Sequence, residues 1–373
     1  MNSVLEPGVL AQVPFHFWTV CSFVLGCVVG SFLNVCIHRM PRDESIVHPP
    51  SHCPHCGYAI PWYLNIPLVT WLWLRGQCAN CRKEISMRYF LVEALTGAVF
   101  ALCWLCFGSQ SPALAGVWMV FISGMIAATF IDFEHFIIPD EITIGGIGAG
   151  LILSILVPMA HIVFPSLQPC TATGPAVRDS VLGILVGAGA VYAILRLGKL
   201  LFGRYRIALA PGSRILFTET ALKLPTQEMP YGELFYRPGD TIRIEAEKVE
   251  LIDRCYKKVE LRLQPKQLRI GQETFDPEKV LYLEAVADHV VLPREAMGLG
   301  DVKFMAAIGA FLGWSAVLFS LALSSVIGAL VGVVLVLLGK RAWSARMPYG
   351  PYIAMAAVIW IFGGYKWLRL LFP

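Results

Sequence analysis

Charge is what this chain has least of. Of its 373 residues, 26 are Asp or Glu and 30 are Lys or Arg, or 15% together, where a soluble globular protein carries about a quarter. That deficit excludes a single large soluble core. The net charge of +4 is small and scattered, so no basic patch speaks for nucleic acid. Residues 1–16 contain no Lys or Arg. No small-residue cleavage site follows the first apolar segment, which argues against a removed signal peptide. Nor does a Gly-x-Gly-x-x-Gly follow a strand pattern, so there is no dinucleotide-type fingerprint.

What remains is apolar: 56% of residues are hydrophobic and the mean hydropathy is +0.63. About eight segments of membrane-spanning character lie near 17–37, 89–107, 114–131, 142–164, 180–202, 302–314, 316–339 and 351–370. The expected fold is therefore an all-α polytopic membrane protein. Arg39, Arg42, Arg75, Arg82, Lys83 and Arg88 fall in the first long loop. By the positive-inside rule that loop is cytoplasmic and the N-terminus outside. Alternation through eight spans puts 132–141, 203–301 and 340–350 inside as well. Lys340, Arg341 and Arg346 agree; Lys366 and Arg369 near the outer C-terminus do not.

Against this background two aspartates stand out. Asp132 lies in Phe130-Ile-Asp-Phe-Glu-His135, and Asp301 closes Gly298-Leu-Gly-Asp301. Both sit where an apolar segment meets its polar flank, on the side assigned to the cytoplasm. Carboxylates at membrane depth are costly and usually functional, although either could merely cap a helix or face interfacial water. Paired across a helix interface they could share one proton and serve as base and acid. Lys303 follows Asp301 by two residues, a spacing that faces another way on a helix, so headgroup anchoring competes with a catalytic part. Asp140 and Glu141 read as charges at a helix start. Glu93, early in the second segment, is either an interfacial carboxylate or an acceptor for an amino group.

The first loop holds Cys53-Pro-His-Cys56 and Cys78-Ala-Asn-Cys81. Two C-x2-C knuckles can present four thiolates tetrahedrally, as in a zinc ribbon, and a cytoplasmic loop disfavours disulfides. His52 and His55 are spare donors that four cysteines leave unneeded. The remaining seven cysteines, Cys103 and Cys106 among them, read as small apolar packers. A further departure from the helical pattern is residues 204–293. Thr241-Ile-Arg-Ile-Glu-Ala-Glu247 and Lys258-Val-Glu-Leu-Arg-Leu263 alternate apolar and polar residues, the signature of β-strands. Positive and negative charges balance there. The organisation expected is a tail and first helix (1–38), a cytoplasmic zinc-binding loop (39–88), four helices with the first aspartate (89–203), a cytoplasmic β-rich insertion (204–293), and the Gly-x-Gly-Asp motif with the last three helices (294–373).

These stretches resemble the bifunctional type IV prepilin peptidases, prepilin leader peptidase and N-methyltransferase in one chain. The resemblance is carried by Gly30-Ser-Phe-Leu-Asn-Val35, Cys53-Pro-His-Cys56, Asn65-Ile-Pro67, Arg75-Gly-Gln-Cys78, Ile131-Asp132 with Ile138-Pro-Asp140, Gly298-Leu-Gly-Asp-Val-Lys303 and Met347-Pro-Tyr-Gly-Pro351, in the family's order. It implies an eight-span bacterial inner-membrane enzyme. Its members cleave the basic leader of type IV prepilins or type II secretion pseudopilins after glycine, commonly before phenylalanine. They then methylate the new amino terminus with S-adenosylmethionine. The resemblance makes Asp132 and Asp301 the catalytic pair, Cys53, Cys56, Cys78 and Cys81 the structural zinc ligands, and Gly76 a candidate contributor to methyl-donor binding. The partners implied are pilin substrates and the lipid bilayer, with no nucleic acid. The insertion at 204–293 departs from the short connection usual in the family. Two other readings compete: an intramembrane aspartic protease of the presenilin type, which also uses Gly-x-Gly-Asp, and a non-catalytic scaffold for pilus assembly.

Overall fold

The computed structural model describes residues 14–164, 166–202, 204–225, 227–235, 240–293, 298–339 and 347–367. Lys340, Arg341, Arg346 and Arg369, which entered the orientation argument, lie outside the described residues. The chain divides into two compact units, one of residues 1–191 with 299–373 and one of residues 192–298.

Each apolar segment read from the sequence forms a helix. In chain order the helices are α1 (Phe15–Arg39), the short α2 (Val69–Trp73), α3 (Met87–Cys103), α4 (Pro112–His135), α5 (Asp140–Leu156), α6 (Thr173–Phe202), the short α7 (Tyr231–Leu234), α8 (Leu299–Leu312), α9 (Trp314–Leu337) and α10 (Gly350–Ile361). Their starts follow local chemistry. The Ser86 side chain accepts from the Arg88 N–H at the head of α3, and Ser111 accepts from the Leu114 N–H at the head of α4, with Pro112 in the first turn. Among the described residues, α1, α3 with its π-helical extension Trp104–Gly108, α4, α6 and α9 are long and apolar enough to cross a membrane. The helices α5, α8 and α10 have 17, 14 and 12 residues, so five helices rather than eight meet that length. The fourth segment also stops short of the expected residue 164. Val157 precedes Pro158 and adopts φ −135°, outside the helical region. A 3-10 turn and the small antiparallel pair β1 (Ile162–Val163) and β2 (Gln168–Pro169) follow.

Apolar side chains face outward along these helices, as in Leu318, Val326, Leu330 and Val333 of α9. That suits lipid as the surrounding solvent. Between helices, small residues let backbones meet, the usual device where lipid leaves no hydrophobic drive for association. A Cβ on Gly30 of α1 would lie 2.7 Å from the Glu93 Cα of α3, and one on Gly183 of α6 would lie 2.1 Å from the Gly309 carbonyl oxygen of α8. Residues Phe304 to Leu312 of α8 are all buried. This short helix is thus held inside the helical unit with Asp301 in its first turn.

The second unit carries an eight-stranded antiparallel sheet. Its strands are β3 (Arg204–Phe217), β4 (Ala221–Lys223), β5 (Glu228–Pro230), β6 (Ile242–Leu251), β7 (Cys255–Gln264), β8 (Gln267–Ile270), β9 (Glu273–Phe275) and β10 (Leu283–Pro293), in the spatial order 5-4-3-10-6-7-8-9. Both alternating segments read from the sequence fall in strands, β6 and β7, paired with Ile244 opposite Leu261. Ile242, Ile244, Ala246 and Val249 of β6 are buried with Leu261, Leu268, Ala285 and Val290. One face therefore supplies a core of its own, without lipid.

Candidate functional site

Three helix ends converge around the first aspartate. Asp132 lies in the last turn of α4 and is 5% exposed. α4 ends there because Phe136 turns into the left-handed region (φ +56°) while its N–H returns to the Asp132 carbonyl. The Asp132 carboxylate Oδ2 accepts a 2.9 Å hydrogen bond from the Gly350 N–H, at the head of α10. A Cβ at 350 would lie 2.8 Å from that same oxygen and 3.2 Å from Ile138 Cδ1, so a larger residue there would displace the carboxylate. Ile138 in turn packs 3.6 Å from the position of a Cβ on Gly300. The α4–α5 turn is thereby wedged between Gly300 and Gly350. Asp301, the next residue, is partly buried and close enough for its charge to act on Asp132. The heads of α8 and α10 both offer the positive end of a helix dipole to this acidic pair.

Around the pair the structure adds ion pairs that the sequence did not specify. Lys303 binds both carboxylate oxygens of Asp140, at 2.7 and 2.8 Å. With side chains 41% and 58% exposed, this pair contributes at most about 1 kcal/mol. Its value is positional, since it ties the head of α5 to α8. Arg88 at the head of α3 pairs with Glu134, two residues beyond Asp132. Spacing alone could not find this partner, because 46 residues separate the two.

The four loop cysteines also converge. Cys53, Cys56, Cys78 and Cys81 have their sulfurs within 4.8 Å of one another, with Cys53 and Cys81 at 3.9 Å and Cys56 and Cys78 at 4.0 Å. Zinc–thiolate bonds of about 2.3 Å put tetrahedral sulfurs roughly 3.8 Å apart, so the donor set fits such an ion. The two knuckles share one backbone form. Cys53 N–H donates to Tyr58 and Cys78 N–H to Lys83, while Gly57 and Arg82 take the left-handed turn at φ +69° and +59°. Backbone N–H groups of Cys81 and Asn80 push the Cys78 thiol down to about 6. In Cys81 the Lys83 N–H favours the thiolate, but desolvation and the neighbouring sulfurs outweigh it and push the thiol up to about 11. No disulfide joins any cysteine among the described residues, and the ring nitrogen of His52 contacts the Pro50 carbonyl.

Gly76 is at φ +69°, and a Cβ there would lie 2.9 Å from the Trp71 indole. It backs that ring. Trp71 itself lines a cavity of about 640 Å³ enclosed by α1, α3 and the cysteine loop, as do Asn34 and Glu93. The Glu93 carboxylate is buried and accepts from the Leu68 N–H at 2.8 Å.

Several helices of membrane-spanning length, a buried aspartate at a helix end with a second aspartate in the first turn of α8, and a four-cysteine cluster in the first loop are the features of a multi-pass membrane protein. Residues 24–107 match the family model described as the bacterial peptidase A24 N-terminal domain, and residues 280–333 match the type IV leader peptidase family. Three curated proteins named prepilin leader peptidase/N-methyltransferase illustrate the relatedness. One from Myxococcus xanthus is 42% identical over 183 residues, 48% of this chain and 49% of that protein. One from Aeromonas hydrophila is 27% identical over 91% of this chain and 89% of that protein. One from Dichelobacter nodosus is 33% identical over 52% of this chain and 71% of that protein. No solved structure matches the chain. The chain belongs to the prepilin leader peptidase/N-methyltransferase family.

Proposed function

We propose that this protein is an aspartic endopeptidase of the bacterial inner membrane. It removes the basic leader of type IV prepilins or pseudopilins after glycine and then methylates the new amino terminus with S-adenosylmethionine. What supports the peptidase half is the buried Asp132 at the end of α4, bonded to the Gly350 N–H at the head of α10, with Asp301 in the first turn of α8 near enough for its charge to act on Asp132. Two carboxylates that close cannot both ionise cheaply, so the pair works with one shared proton. The ionised member takes a proton from water; the protonated member polarises the scissile carbonyl. The Gly350 N–H fixes one Asp132 oxygen, leaving the other to face the water. Both roles lie on the cytoplasmic side in an eight-span arrangement with the N-terminus outside. There the leader's basic residues remain in water while the pilin's apolar helix stays in lipid. Neither a presenilin-type protease nor a scaffold is favoured by the family relationship.

Zinc on Cys53, Cys56, Cys78 and Cys81 would shape the loop, with four protein ligands and no open position for chemistry. S-adenosylmethionine supplies an electrophilic methyl group when bound.

Incubating the purified protein with a synthetic prepilin peptide, with and without S-adenosylmethionine, tests this function. Cleavage after glycine is expected in both reactions and a mass gain of one methyl only with the donor; no cleavage would refute the reading. The β-rich insertion (204–293) forms its own core and is expected to be dispensable for bond breaking. Replacing it with a short linker should leave the cleavage rate within about threefold, since its buried set lies on its own sheet. Lost cleavage with the helical unit still folded would make the insertion part of the site.

A further inference from the structure

The cavity between α1, α3 and the cysteine loop holds two acceptors with capacity to spare. Asn34 is 1% exposed. Its Nδ2 donates to the Gly30 and Tyr89 carbonyls at 3.3 and 3.0 Å. Two carbonyl partners fix which end of the amide is nitrogen. That leaves the Asn34 Oδ1 buried with no hydrogen-bond partner. Glu93 is 8% exposed; its carboxylate accepts from the Leu68 N–H and the Ser31 hydroxyl and still has acceptor capacity to spare. The two residues project from facing helices within about one turn of each other: Gly30 meets the Glu93 backbone, and Asn34 reaches Tyr89. A buried carboxylate and an orphaned amide oxygen in the lining of one cavity call for a cation rich in N–H donors. A primary ammonium has three.

The rest of the lining suits a sulfonium donor. Trp71 presents an aromatic ring, to which cations are attracted, while the Tyr89 ring already carries the Arg88 guanidinium 5.2 Å from its centroid. The Trp71 Nε1 is a buried donor without a partner. Arg39, also in the lining, is spent on the Ser45 and Pro49 carbonyls. The cavity volume of about 640 Å³ falls in the range of small-molecule sites.

We infer that this cavity is the methyl-transfer site, with Glu93 and Asn34 binding the α-ammonium of the cleaved pilin and Glu93 receiving its proton. This rests on the methyltransferase reading above. The amine, once deprotonated, forms the new N–C bond with its lone pair as the donor's C–S bond breaks and leaves its electrons on sulfur. The product is the N-methylated ammonium, and Glu93 returns the one proton it took to water. The Arg88–Glu134 pair ties the head of α3 to the end of α4 that carries Asp132.

The test uses full-length protein and a short peptide that begins with phenylalanine, in free-amine and N-acetylated forms. Wild type should bind the free amine about 10- to 100-fold more tightly than the acetylated peptide, the size of a charge-assisted hydrogen bond. Glu93→Gln, with an unchanged melting profile, should lose that preference and methylate about 100-fold more slowly or worse. An unchanged amine preference and methylation rate in Glu93→Gln would overturn the inference. Should Glu93→Gln fail to fold, Glu93→Asp decides: the amine preference kept supports the assignment, and the preference lost in a folded protein refutes it. A wild type that cleaves prepilin but transfers no methyl would count against the methyltransferase reading, while its amine preference would still report on Glu93.

Discussion

Asp132→Asn and Asp301→Asn should each lower prepilin cleavage by roughly 10³-fold or more, since positioned proton transfer contributes 10²–10⁴-fold and each change disables the shared-proton pair. Asparagine keeps the size of the side chain, and at position 132 it keeps an oxygen for the Gly350 N–H. The loss should therefore be chemical rather than structural. An amide can neither take a proton from water nor give one to the leaving nitrogen. Methylation of a pre-cleaved peptide should continue in both variants, because the step at Glu93 needs neither aspartate. Paired rate measurements on intact and pre-cleaved peptides check this. Normal cleavage by either variant would remove that residue from the mechanism. Loss of both activities in a folded protein would mean that the two sites are one.

Replacing Cys78 with serine should release the metal and collapse methylation while sparing cleavage. Four thiolates hold a structural zinc with about 10–16 kcal/mol of apparent binding free energy, and that energy is available to fold the loop. Cys53 and Cys78 also line the cavity with Asn34 and Glu93, so a disordered knuckle opens that wall. The expected zinc content is one per chain in wild type and less than about a tenth of that in the variant. Methylation should fall about 100-fold and cleavage stay within about threefold, since the metal has no open coordination position for chemistry. Elemental analysis beside both activity assays decides it. Wild-type protein without bound metal would exclude the zinc assignment.

Much of this was legible in the sequence, and what was not has a physical reason. The apolar segments, the β alternation at 241–247 and 258–263, and the cysteine spacing are short-range patterns, and each corresponds to a helix, a strand or a knuckle. The end of α5 at Leu156 was misjudged because hydropathy continues through 157–164 while Pro158 has no N–H to continue the helix. The Gly350 contact to Asp132 spans 218 residues; the Pro-Tyr-Gly-Pro motif signals a rigid turn but not what it touches. Helical spacing puts Lys303 on another face than Asp301, and its partner Asp140 depends on how α5 packs on α8. Asn34 sat in a recognised motif, but its orphaned oxygen emerges only once Tyr89 and Gly30 have used the nitrogen. Sequence position alone leaves Glu93 as either an interfacial charge or an amine acceptor; its burial beside the cavity arises from how α1 and the loop pack on α3.

Oxygen tracing tests the central claim most directly. Cleavage of excess prepilin peptide is run in ¹⁸O-labelled water, and the released leader and proteolytic fragments of the enzyme are weighed. If Asp132 and Asp301 activate water between them, one labelled oxygen enters the new leader carboxylate and none enters either aspartate. Label accumulating in the Asp132 or Asp301 carboxylate would mean that the side chain attacks the peptide itself, and would contradict the account.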